Sequence, residues 1–112
     1  MESGTLFEGE DTFLMVNLTP ESTGLPFVAW ISKKGSAGHD VRVKVTTTAR
    51  ARDFAAIMSV RQSIDILAGE LCGADLARVR AWIELNREAI IGYWDGDILY
   101  TEEVLAALKP LP

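Results

Sequence analysis

One cysteine and one histidine, Cys72 and His39, are all that the 112-residue chain has of either type. An internal disulfide is thereby excluded, no zinc-ligand spacing can be assembled, and a lone thiol agrees with a reducing compartment. Long apolar runs are missing as well. No stretch approaches the roughly 20 residues that span a bilayer, and the amino terminus lacks the basic region and apolar run of a signal peptide. The expectation is a cytoplasmic protein without membrane contact.

Catalytic signatures are equally scarce. No Ser-His-Asp arrangement has a local pattern, and "KKGSAGHD" at residues 33 to 40 inverts the order of a phosphate loop. Its lysines precede the second glycine and a strand pattern follows, where a Walker loop needs the lysine afterwards and then a helix. A hairpin turn explains the stretch better. "DGD" at residues 95 to 97 begins like a calcium loop but continues with Leu99, Tyr100 and Ala106 where oxygen ligands and a glycine are required. A cysteine at a helix start can have a depressed pKa. Cys72, however, stands among Leu71, Ala74 and Leu76, where a small hydrophobe is expected, and His39 falls in a turn distant in sequence. No enzyme, metal or cofactor is expected.

What the chain does have is apolar content, 48% of its residues, enough for a core at this length. Glu2, Glu8, Glu10 and Asp11 mark residues 1 to 11 as a flexible acidic start, leaving residues 12 to 112 as one domain. The net charge of −5 hides an asymmetry. Residues 33 to 61 hold seven bases against two acids, while the remainder of the chain holds four bases against fourteen acids. Segregation of this kind indicates either a binding patch or mutual cover within the fold.

The front half reads as strands. "TFLMVNL" at residues 12 to 18 is short, apolar and partly branched, and "TPESTGLP" after it is rich in breakers, hence a loop. "FVAWISKK" and "DVRVKVTT" flank the turn "GSAG" as a hairpin. In the second of these, Val41, Val43 and Val45 alternate with Arg42, Lys44 and Thr46, the pattern of a half-buried antiparallel strand. After the turn at "TARARD" comes "AIMSVRQSIDIL", residues 56 to 67, which alternates less cleanly and reads as one longer or bent strand. The result is a three- or four-stranded antiparallel meander with one wet face.

From residue 74 the period changes. Leu76, Val79, Ile83, Ile90 and Trp94 recur at helical spacing, with Asn86 in the same column and Trp82 and Tyr93 beside it. Arg80 and Glu84 form an i,i+4 pair on the outer side. Trp82 and Trp94 are twelve residues apart, roughly 120° around the axis, and so bracket a wide face laid on the sheet. Gly96 suits the left-handed position that ends a helix, and Thr101 is expected to cap a second, short helix ending before Pro110. Asn86, polar on an apolar face, needs a hydrogen-bond partner in the backbone of the sheet or a loop.

"FVAWISKKGSAGHDVRVKV" followed by "VRAWIELNREAIIGYWDGDILYTEEVLAALKPL" resembles a group of small bacterial proteins of unknown function. In that group a basic H-D-x-R-V-K-V strand precedes a helix of the form W-I-x-L-N-R-x-x-I-x-x-Y-W-x-G-x-I. The likeness covers residues 27 to 111. The helix is also loosely similar to a larger bacterial domain family, some of whose members look like partners in toxin–antitoxin type gene pairs. The resemblance implies no known chemistry and brings over no catalytic residue.

The chain is therefore expected to be an α+β domain, an antiparallel meander packed on one long amphipathic helix with a short C-terminal helix. Its expected role is a noncatalytic binding module for an anionic partner, nucleic acid or acidic protein. The candidate binding residues are Lys33, Lys34, His39, Arg42, Lys44, Arg50 and Arg52, with Trp82, Asn86, Trp94 and Gly96 structural. The alternative is a structural or regulatory interaction domain, a homodimer among its forms, that binds through an apolar surface such as a sheet edge or Trp30.

Overall fold

A computed structural model describes residues 15–50 and 53–112. Five strands, β1 (Met15–Leu18), β2 (Val28–Ser32), β3 (Arg42–Thr46), β4 (Phe54–Ser59) and β5 (Ile66–Gly69), form one sheet in chain order, each antiparallel to the last. The short α1 (Pro20–Thr23) lies between β1 and β2, while α2 (Gly73–Asp95) and α3 (Thr101–Ala107) follow the sheet. The fold is α+β with the expected elements, but the meander has five strands and not three or four.

The extra strand comes from residues 56 to 67, which fold into a hairpin where one long or bent strand was expected. Ser59 is the pivot. Its amide donates to the Asp65 carbonyl at 2.9 Å, its hydroxyl donates to the Ser63 carbonyl at 2.7 Å, and the same hydroxyl accepts from the Asp65 amide at 2.9 Å. Gln62 adopts a left-handed backbone, φ 68°, which reverses the chain without glycine or proline. Val60 and Ile64 turn inward and bury in the core. The residues that seemed to blur the alternation are the turn.

"TPESTGLP", expected to be a loop, contains one helical turn. The Thr19 hydroxyl accepts from the Ser22 amide, Pro20 occupies the first helical position, and Gly24 ends the turn at φ 81°. The C-terminal tail closes over it, with the Leu111 amide donating to Thr23 at 2.8 Å and packing so near Gly24 that a Cβ there would meet Leu111 at 3.1 Å.

The strand registers explain the core. Val16 pairs with Ile31, Leu18 with Ala29, Ala29 with Val45, Val45 with Ala56 and Val43 with Met58, so these side chains share one face of the sheet. Against it α2 sets Val79, Trp82, Ile83, Ile90, Tyr93 and Trp94, all buried, and α3 adds Val104. Each fully buried aliphatic side chain of this kind contributes roughly 1.5–3 kcal/mol before entropy is counted. Helix propensity matters less here than that packing, since α2 starts at Cys72 without a side-chain cap. Gly96 ends α2 in the left-handed region, φ 92°, its amide donating to the Gly92 carbonyl at 3.1 Å.

The opposite face departs from expectation. Pairing sets Trp30 beside Lys44 and Lys44 beside Ile57 in one row across three strands. Lys44 is 2% exposed, Thr46 0% and Ile57 6%, so the centre of this face is withdrawn from water. Alternation identified which residues share the face but not whether the face is covered. The expected strand at residues 12 to 18 is described only from Met15, and the expected acidic start, residues 1 to 11, lies outside the described residues.

Candidate functional site

The expected basic site begins in the β2–β3 connection, and that connection is folded onto the end of α2. The Lys34 amide donates to the Trp94 carbonyl at 3.2 Å, which satisfies one of the acceptors that a helix C-terminus leaves open. Lys33 reaches further, its Nζ donating to the Leu99 carbonyl at 2.5 Å while lying 5.5 Å from the centre of the Tyr93 ring. His39 stacks on Trp94 with ring centres 5.4 Å apart, and its Nδ1 donates to the Asp40 carbonyl at 2.7 Å. Cationic side chains at this end also face the negative pole of the helix dipole. The turn is a cradle for α2.

Arg61 joins the same arrangement from the β4–β5 turn. Its Nε and Nη2 donate to Asp40 at 3.0 and 3.1 Å, and its Nη1 and Nη2 donate to Asp95 at 3.2 and 3.0 Å. Two carboxylates thus share one planar fork. The Arg61 hydrogen bonds hold both Asp40 and Asp95 below the usual carboxylate range, and the two acids raise Arg61 above its ordinary value. Asp95, the first position of the imagined calcium loop, is therefore committed to a guanidinium.

Among the described residues, the remaining candidates differ in exposure. Lys44 is buried and Arg42 half-buried on β3. Arg50 is exposed in the β3–β4 turn, where its amide donates to the Thr48 hydroxyl at 3.1 Å. Arg52 lies outside the described residues. Trp30, the alternative apolar contact, is half-buried and donates from Nε1 to the Thr46 hydroxyl at 2.9 Å. Arg80 turns from the expected Glu84 toward the β4–β5 turn, meeting the Ile64 carbonyl at 2.9 Å and Asp65 at 3.3 Å.

Cys72 is exposed, contrary to the small-hydrophobe expectation, because it precedes α2 instead of entering the core. A thiol at one end of a 23-residue helix and an imidazole stacked at the other are separated by roughly 30 Å at 1.5 Å per residue. No nucleophile–base pair forms from them. Among the described residues no three His, Cys, Asp or Glu side chains come together to hold a metal ion, and no helix is long and apolar enough to cross a membrane.

Asn86 has a purely internal set of partners. Its Nδ2 donates to the Trp82 carbonyl at 3.0 Å and to the Lys109 carbonyl at 2.9 Å, and its Oδ1 accepts from the Lys109 amide at 2.7 Å. The side chain thereby mimics a strand partner for the tail after α3, and it anchors that tail to α2. Thr101, expected as the cap of α3, is instead its first residue and pairs its hydroxyl with Tyr93 at 3.0 Å. The cap residue is Tyr100, whose amide donates to Glu103 at 3.2 Å.

The surface that sequence reasoning missed is β5. Among the described residues it is one edge of the sheet, with β1 the other. Leu67 is 56% exposed, and Ala68 and Gly69 are exposed beside it. The strand contains neither charge nor proline, while Asp65 and Glu70 stand immediately outside its ends. A register shift against Ile57 and Met58 leaves Leu67 without an opposite residue. Gly69 is forced by space as well as by φ 82°, since a Cβ there would lie 2.1 Å from the Ala55 carbonyl oxygen. That close approach is the one sequence-level signal available, a glycine ending a short apolar run.

Comparison of the chain with protein-family models, with curated proteins and with solved structures finds no match.

Proposed function

We propose that this domain is a noncatalytic protein-interaction module whose partner adds an extended segment to the β5 edge. The observation that carries this reading is the exposed, uncharged strand Ile66–Gly69, presented on a sheet edge with Leu67 turned to solvent. Edge strands of soluble domains are ordinarily blunted with inward charges or proline, because their unpaired amides and carbonyls are templates for another chain. Here the protection is confined to shortness, a bulge and two flanking acids. Strand addition draws affinity from main-chain hydrogen bonds and specificity from alternate side chains and flanking charge.

The flanking acids also select among occupants. In a centred antiparallel pairing of two copies, Asp65 would face Glu70 of the other copy at both ends, an unfavourable like-charge arrangement. A partner segment with apolar alternation and basic ends is complementary. The anionic-partner reading draws less support. Of its residues, Lys44 is buried, and Lys33 and His39 are engaged at the end of α2.

The test is capture of partners from a lysate of the native cell by immobilised protein, at low and moderate salt and with and without nuclease. Retention of one defined protein through moderate salt and nuclease, lost with Leu67→Lys and kept with Arg50→Glu, is the expected result. Bound material that disappears with nuclease or with Arg50→Glu would replace this reading with the anionic one.

A further inference from the structure

The C-terminal segment, α3 and the tail after it, is held to the molecule in a different way from α2. Of the seven residues of α3 only Val104 is buried, whereas α2 buries eight of its 23. Isolated helices shorter than about 12–15 residues are marginal in water, so α3 exists only while it is docked. Leu108 and Leu111 are half-buried beside it. The polar ties are the Thr101 hydroxyl with Tyr93 at 3.0 Å, the Lys109 amide and carbonyl with Asn86 at 2.7 and 2.9 Å, and the Leu111 amide with the Thr23 carbonyl at 2.8 Å.

Two cavities interrupt the seam between this segment and α2. One of about 610 Å³ is lined by Ala107 and Lys109 on one side and Glu84 to Ala89 on the other, and one of about 270 Å³ is shared by Leu105, Leu108 and Trp82. Protein interiors are ordinarily close-packed, and side chains that face a gap forfeit contacts. The buried Trp82 Nε1–H also has no hydrogen-bond acceptor, a cost that the closed fold carries at this part of α2.

The chain just before α3 is anchored. The Ile98 amide donates to the Gly92 carbonyl at 3.0 Å, its side chain sits so near Gly92 that a Cβ there would meet it at 3.3 Å, and Lys33 holds the Leu99 carbonyl. Tyr100, next in line, is 63% exposed and marks the pivot.

We propose that residues 100 to 112 form a strap that opens as one unit while the sheet and α2 stay folded, pivoting at Tyr100 and unlatching at Asn86. Once Val104 leaves the core α3 loses its support, so undocking and unwinding are one event. Opening frees the face of α2 from Trp82 to Asn86, and closure restores the paired bonds to Lys109. The device is independent of the β5 edge and stands or falls separately from it.

Native-state amide exchange of the full chain in increasing, sub-denaturing urea tests it. The amides of Leu108, Lys109 and Leu111, bonded to Val104, Asn86 and Thr23, are expected to share one protection and one urea dependence. They should exchange roughly 100-fold faster than the slowest amides of β3 and with a smaller urea slope. Val104→Ala accelerates all three together by roughly tenfold or more and leaves β3 unchanged. Exchange of the three at the rate and slope of β3 would overturn the proposal, because strap and sheet would then open only together. Three unrelated rates without urea dependence would overturn it as well, as fraying from the chain end, and the wild-type chain decides both without the variant.

Discussion

The basic segment, residues 33 to 61, and the β5 edge make opposite impressions in sequence and in space. The first draws attention through seven cations among two acids, yet several of those cations work inside the molecule. Lys33 and the Lys34 backbone finish α2, Arg61 bridges Asp40 to Asp95, and Lys44 is covered. The second is four residues without a charge, hidden in a stretch that reads as the far end of a longer strand, yet it is presented to solvent. Charge segregation along a chain is thus as much a device for joining distant segments as for binding another molecule. The acids that answer the basic segment come partly from the helix end, 34 residues away from Arg61.

That comparison can be broken most sharply at Lys44. If it is a covered residue, Lys44→Glu reverses a charge in a buried row and lowers unfolding stability by roughly 3–5 kcal/mol, whereas Arg50→Glu in the exposed turn changes it by no more than about 0.5 kcal/mol. Urea titration of both variants measures the difference. Equal, small effects would put Lys44 back on an open face.

A middle-sized effect is expected at Asn86. Asn86→Leu removes both links to Lys109 and leaves a backbone amide and carbonyl without their partner, costing about 2 kcal/mol. Amide exchange at Lys109 accelerates more than exchange in β3, because the tail detaches before the sheet opens.

The smallest effect is at Arg61, and it depends on pH. Asp40 and Asp95 have folded-state pKa values below the ordinary carboxylate value because Arg61 hydrogen-bonds to both. Their contribution is therefore complete above the unfolded carboxylate pKa, about 3.9, and is lost as pH falls through the depressed folded values. Arg61→Gln is expected to lower the melting temperature slightly at pH 7 and in low salt. The gap to the wild type should close below about pH 4 and narrow in high salt. A gap that is constant across pH would mean that Arg61 acts through packing instead.

Much of the fold was legible because its signals are local. The helical period from Leu76 to Trp94, the glycine at residue 96 and the valine alternation of β3 locate α2 and the central hairpin to within a residue or two. The β4–β5 hairpin was not legible, because its turn uses a left-handed Gln62 and the Ser59 hydroxyl in place of glycine or proline. The burial of Lys44 was illegible for a different reason, since period 2 assigns faces without saying what lies over them. Asn86 announced that it needed a partner, but Lys109 as that partner is a tertiary fact. Trp82 offered even less, since an indole on an apolar helix face reads as core whether or not its N–H is satisfied.

Site-specific photo-crosslinking in the native lysate tests the central claim most directly. A crosslinking amino acid is placed at position 67 in one preparation and at position 50 in another, both on the full chain. The account predicts one discrete adduct with a protein from position 67, persisting at moderate salt and after nuclease, and none from position 50. Adducts from position 50 that vanish with salt or nuclease, with nothing captured at position 67, would contradict it.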